Sequence, residues 1–165
     1  MMRKLILILF PLLALGLLAY VKYQTTLDVT QVHNHEKKPL EFKDNTVQCP
    51  QCYMYLVGKK HTAQAIDAAS KTHFFDDPGC LILWARDKKI ALETLTLWVY
   101  SIDTQQWIDM KKAYFDIKEI TPMEYGFAAY EHAAEGFIDF NEMRLRMLRG
   151  ETMANAKIKK NLVGQ

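Results

Sequence analysis

His73-Phe74-Phe75 is an apolar stretch cut short by Asp76-Asp77-Pro78-Gly79, and Cys80-Leu81-Ile82-Leu83-Trp84-Ala85 follows at once. No single element can run through that junction. Pro78 lacks the N–H that a ladder or a helix interior needs, but it suits the first helical position, and Asp77 before it can cap the free donors of a helix N-terminus. A strand must therefore turn directly into a mostly buried helix. Asp76 and Asp77 have the look of a catalytic acid pair, yet capping accounts for them more simply. Gly136-Phe137-Ile138-Asp139-Phe140-Asn141 repeats the order of parts. It leads into a helix over about 141–149, capped by Asn141 and stopped by Gly150. Two related strand-helix units are expected from this echo, and Met54 and Met123 each lead a strand pair upstream of one of them.

Between these landmarks the pattern predicts strands at 53–57 and 63–66, separated by the turn Lys59-Lys60-His61-Thr62, and a third at 73–75. Residues 95–101 and 107–109, joined by the polar stretch 102–106, read as a hairpin. Further short strands are expected at 112–117, 126–130 and 137–140. The expected fold class is α+β. Residues 24–45 are polar and read as a stalk, so the folded domain is expected over 46–150, as units of about 46–92 and 93–150, with 151–165 as a tail.

The stretch 5–21 is apolar throughout, about 17 residues and roughly 25 Å as a helix, at the lower edge of what spans a bilayer. Arg3 and Lys4 precede it, which predicts a cytoplasmic N-terminus and an exported remainder. Ala14-Leu15-Gly16 is its one small-x-small triplet, but more leucine follows, whereas a cleavage site normally ends the apolar run. Residues 1–23 are therefore expected to stay as a membrane anchor. No cysteine near residue 20 offers a lipid tether instead. A net charge of +2 gives no reason to expect nucleic acid as a partner, and the basic residues after 143 suit a solvated helix face. Three cysteines leave at least one thiol outside any intramolecular disulfide. An exported chain that keeps free thiols either passes electrons or holds metal.

Cys49-Pro50-Gln51-Cys52-Tyr53-Met54 puts two thiols and a thioether within six residues. Soft sulfur ligands select copper(I), and a thioether binds without losing a proton, whereas structural zinc usually recruits more thiolates or imidazoles. If 53–57 is a strand, Cys52 and Met54 share a face, with Cys49 folding back across Pro50-Gln51. A methionine alone would read as a core gap-filler. Cys80 lies in an apolar run near a helix N-terminus, where the dipole could lower its pKa and help it bind metal, but an inert small hydrophobe is the simpler reading. His61 and His73 could supplement the site, and His33-Asn34-His35 is a weak metal signal. The standard hydrolase and nucleotide motifs are absent. A thiol-disulfide oxidoreductase competes, with Cys49 and Cys52 as its CxxC pair and Thr121-Pro122 as a candidate cis-proline neighbour. Against it, 43–46 is polar where an apolar strand should stand, and the residues after Cys52 read as strand where that fold needs a helix. A structural zinc module is a further alternative.

Cys52-Tyr53-Met54, Lys60 with Ala63-Gln64-Ala65-Ile66, Phe74-Phe75-Asp76-Asp77 with Cys80, Trp107-Ile108-Asp109 with Ala113-Tyr114, and Thr121-Pro122-Met123 with Gly126-Phe127-Ala128-Ala129 occur in one order. In that order the chain resembles the NosL family, the copper-binding accessory proteins of nitrous oxide reductase maturation. The resemblance runs from about 46 to 148. It implies two small ββαβ-type units, as in the NosL and organomercurial-lyase grouping, and a copper(I) chaperone rather than an enzyme. It implies a place on the periplasmic face of the inner membrane, with nitrous oxide reductase or its membrane maturation complex as partner. Family members are commonly lipoproteins, and here the chain departs. Carried over residue by residue, the copper ligands are Cys52 and Met54, then Cys49 and, by its matching place in the second unit, Met123.

Overall fold

A computed structural model of the 165-residue chain describes residues 10–18 and 29–164. Much of the anchor expected over 1–23 lies outside the described residues. The part described, helix α1 over 10–18, has exposed Phe10, Leu12, Leu13, Leu15, Leu17 and Leu18. Among the described residues no helix is long and apolar enough to cross a membrane.

Two antiparallel sheets and two helices build the core. Strand β1 (Ala63–Ile66) pairs with β2 (Thr72–Phe75) on one side and with β3 (Thr96–Tyr100) on the other, and β4 (Trp107–Asp109) closes the order β2-β1-β3-β4. All four residues of β1 are buried, as a central strand covered on both faces should be. Helix α2 (Pro78–Lys88) leaves β2 through the expected junction: Asp77 is its N-cap, accepting from the Gly79 N–H at 2.8 Å, and Pro78 opens the helix. The second sheet runs β6-β5-β7, from β5 (Tyr114–Asp116), β6 (Ala128–Tyr130) and β7 (Ile138–Asp139). Helix α3 (Phe140–Arg149) follows β7 and buries Phe140, Met143 and Met147 along one stripe that meets α2. Phe74, Phe75, Leu81, Ile82, Leu97, Phe115 and Met143 belong to one continuous apolar cluster.

The strand-helix echo is real at both junctions, with one shift. Asp139, not Asn141, caps α3 by accepting from the Glu142 N–H at 2.8 Å, because the helix starts a residue early on the buried ring of Phe140. The paired ββαβ plan holds only in the first half. There β1, β2, α2 and β3 follow in that order, but β3 lies beyond residue 92 and pairs directly with β1, so a boundary at 92 cuts through a sheet. In the second half all three strands precede α3.

The segment 24–45 is not a free stalk over its described part. The Gln64 side chain, fully buried in β1, donates to the Leu40 carbonyl at 2.8 Å and accepts from the Leu40 N–H at 2.9 Å. The Trp98 indole donates to the Lys37 carbonyl, buried Asn34 donates through its backbone to Ser70, and Phe42 meets Phe74 edge to face. Polar residues thus cover this edge of the domain through backbone pairing, which composition does not reveal. Beyond Gly150 the expected tail holds buried Thr152 and Met153 and a further helix, α4 (Ala156–Val163), capped by Asn155.

Candidate metal centre

The strand expected at 53–57 does not form. The backbone instead doubles back over 45–56: Leu56 donates to the Val47 carbonyl at 2.9 Å, Cys49 to that of Met54 at 2.8 Å, and Tyr53 to that of Cys49 at 3.0 Å. Tyr53 sits at φ +63°, a left-handed turn position that no strand residue adopts. The argument that Cys52 and Met54 share a strand face therefore fails. Buried Val47 and Leu56 pin the two arms of the loop to the core and hold Cys49 fully buried between them, while Tyr53, Met54 and Tyr55 face outward.

This loop meets the β2-α2 junction. Asp76 follows directly after β2, and Cys80 lies in the first turn of α2, so the junction presents one carboxylate and one thiol toward the two loop cysteines. The sulfurs of Cys49, Cys52 and Cys80 and a carboxylate oxygen of Asp76 all lie within 4.8 Å of one another. All three cysteines are free thiols. Cys80 thus stands among the loop thiols rather than apart from them, which favours the second of its two readings, a residue that helps to bind metal. The two aspartates divide their work: Asp77 caps α2, whereas Asp76 Oδ1 accepts from the Cys52 thiol at 3.1 Å. Asp76 Oδ2 is buried without a hydrogen-bond partner.

The thiols titrate as a unit. A hydrogen bond from Cys80 pulls Cys49 down to about 7, making it the first thiolate. Burial, the contact with Asp76 and the neighbouring Cys49 sulfur push Cys52 up to about 12. Cys80 is driven upward too, chiefly because its proton is shared toward Cys49. Once one sulfur is charged the others resist ionisation, and a bound cation removes that resistance.

Met54, two-fifths exposed, lines a cavity of about 220 Å³ with Val57, Lys60, Asp76 and Pro122. The cavity thus joins the carboxylate of the cluster to the outer surface beside Met54. Met123, next to Pro122, is half-buried, and its N–H reaches Asp77 Oδ2 at 3.4 Å. No histidine belongs to the cluster: His73 pairs with Asp67 at 3.0 Å and packs at a tilt against Trp84, and His61 is buried among other groups. Sequence reasoning also passed over Tyr125. Its ring lies on the first turn of α2, where a Cβ on Gly79 would come within 2.4 Å of it. Burial, then the nearby Cys80 and Asp77, push its phenol up to about 12.

Fold and site together define a mixed helix and sheet domain with a thiol-rich candidate metal centre where a loop meets a strand-helix junction. The crystal structure of the copper chaperone NosL from Shewanella denitrificans is similar to it, with a TM-score of 0.54 at 13% identity, over 64% of this chain and 95% of that one. At that identity the likeness is one of fold. No protein-family model matches the sequence, and no curated protein does.

Proposed function

We propose that this protein is a copper(I) chaperone. The observation that carries the reading is the convergence of three free thiols, from two separate parts of the chain, within 4.8 Å. Copper(I) is satisfied by two or three soft donors, and Cys49, Cys52 and Cys80 supply three. Cys52 is the one of the three that is not fully buried, which suits it to give up its bond first in ligand exchange. Met54 at the cavity mouth would offer a thioether to an ion that is arriving or leaving, and Met123, which follows Pro122 in the chain, stays a ligand on the strength of the family resemblance. The similar fold of a known copper chaperone supports the same reading. The cargo is delivered, on this reading, to nitrous oxide reductase or its membrane maturation complex at the periplasmic face of the inner membrane. The partner rests on the family resemblance, and the membrane attachment on the apolar stretch 5–21 behind Arg3 and Lys4.

The geometry disfavours the dithiol oxidoreductase. An exchange reaction needs its low-pKa sulfur at the surface, but here Cys49, the acidic thiol, is fully buried, and the more accessible Cys52 is pushed up to about 12. No cis peptide bond occurs among the described residues, Thr121-Pro122 included.

Competition with a chromophoric copper(I) chelator tests the proposal on the reduced, full-length chain. One ion per chain should be withdrawn from the chelator, and Cys52→Ser should weaken its retention at least about tenfold, the loss of one thiolate bond. Undiminished affinity in that variant would remove the assignment.

A further inference from the structure

We propose that the four side chains of this centre also hold zinc(II), with Asp76 as the fourth ligand. The inference rests on the same site as the copper reading but on a different donor, because copper(I) does not select a hard carboxylate oxygen.

Asp76 is the observation that the copper reading leaves over. It is 4% exposed, and one of its two oxygens has no hydrogen-bond partner. Its sister aspartate already caps α2, so Asp76 has no structural duty at the helix start. A buried carboxylate normally has each oxygen paired, and an oxygen free of any protein partner beside three sulfurs is a hard donor ready for a cation. The bond from the Cys52 thiol to Oδ1 does not alter this. When Cys52 binds metal as a thiolate that bond is lost, and the carboxylate then faces sulfur anions with nothing between them.

Zinc meets these demands where copper(I) does not. It takes four donors on a tetrahedron and accepts thiolate sulfur and carboxylate oxygen alike. With Zn–S bonds of about 2.3 Å and Zn–O bonds of about 2.0–2.2 Å, such donors stand roughly 3.6–3.8 Å apart. The donors here lie within 4.8 Å of one another, so the widest pair closes by about 1 Å, a movement within reach of side-chain rotation in the loop cysteines. The divalent charge also offsets more of a site that would hold three thiolates and a carboxylate. Zinc bound in this way shields the thiols, and copper(I), with its stronger demand for sulfur, displaces it while Asp76 leaves the shell.

The test uses the full-length chain, reduced and stripped of metal. Zinc(II) is titrated against a chromophoric chelator, cobalt(II) is added as a coloured stand-in, and copper(I) affinity is measured separately. The wild type should bind one zinc, and cobalt should give the intense visible bands of a tetrahedral, thiolate-rich site. Asp76→Asn should weaken zinc at least about tenfold while changing copper(I) affinity by no more than about threefold. Asp76→Ser supplies the same comparison should the first variant fail to fold, as judged by urea unfolding. The proposal is overturned if the wild type takes no zinc, if Asp76→Asn leaves zinc affinity unchanged, or if it lowers zinc and copper(I) alike. Zinc binding without copper(I) binding would support the fourth ligand and sink the copper chaperone, so the two readings fail separately.

Discussion

Asp77 is fully buried at the start of α2, and that burial pushes its carboxyl up to about 7 from an ordinary 3.8, against the opposing donors of Thr121, Gly79 and Met123. Between those two values the folded chain keeps a proton that the unfolded chain has lost. The group's contribution to stability is therefore whole below about pH 4 and disappears as the pH rises through 7. At 1.36 kcal/mol per unit the swing is about 4 kcal/mol. Asp77→Asn keeps an oxygen for the Gly79 N–H, gives up the longer bond from the Met123 N–H at the same cost at every pH, and has no proton to lose. Urea unfolding of the reduced, metal-free chain from pH 4 to 8.5 should show wild type and variant converging or crossing. Their difference should move by up to about 4 kcal/mol in favour of the variant at high pH, about 2 M in midpoint for a slope near 2 kcal/mol/M. The three thiols are common to both proteins, and the one that feels the Asp77 charge, Cys80, is driven upward, away from the range scanned. A gap that stays constant across the range would show that Asp77 is ionised in the fold, and the electrostatic account of this junction would fall.

Gly79→Ala should cost about 1–3 kcal/mol and move thermal unfolding downward, because its Cβ would come within 2.4 Å of the Tyr125 ring and 2.8 Å of Met147 Sδ. Asp103 accepts from the Ser101 hydroxyl and from the backbone N–H groups of Glu131 at 3.0 Å and His132 at 3.2 Å, tying the β3-β4 turn to the loop after β6. Burial alone would raise its pKa, but those donors outweigh it and hold the carboxyl below the usual range. Asp103→Ala should destabilise by about 1–3 kcal/mol, with faster hydrogen exchange at the Glu131 and His132 amides. Met54→Leu should slow copper(I) transfer to a chelator in stopped-flow while shifting equilibrium affinity less than Cys80→Ser does, since Met54 stands at the exposed mouth of the site.

The strand-helix junctions and the hairpin of β3 and β4 were legible because local chemistry decides them. Pro78 after a capping aspartate, and Gly150 at φ +72°, leave the chain few alternatives. The loop over 49–54 was not legible as such. Its aromatic run mimics a strand, and only the pairing of Cys49 with Met54 and Tyr53 reveals the turn. Of the residues nominated as ligands, Cys49 and Cys52 lie together, brought there by a turn and not by the expected strand. Cys80 joins them because the phase of α2 and the path of the loop are tertiary facts. Two signals were nonetheless available. A helix needs only one capping aspartate, which left Asp76 unexplained, and a glutamine inside the apolar run Ala63-Gln64-Ala65-Ile66 requires a buried partner, which Leu40 in the supposed stalk provides.

X-ray absorption at the copper edge, on the full-length chain loaded with one copper(I), bears most directly on whether three thiols share one ion. The account predicts a sulfur-only first shell that loses one sulfur in Cys80→Ser. A shell containing nitrogen or oxygen, or one that Cys80→Ser leaves unchanged, would contradict it.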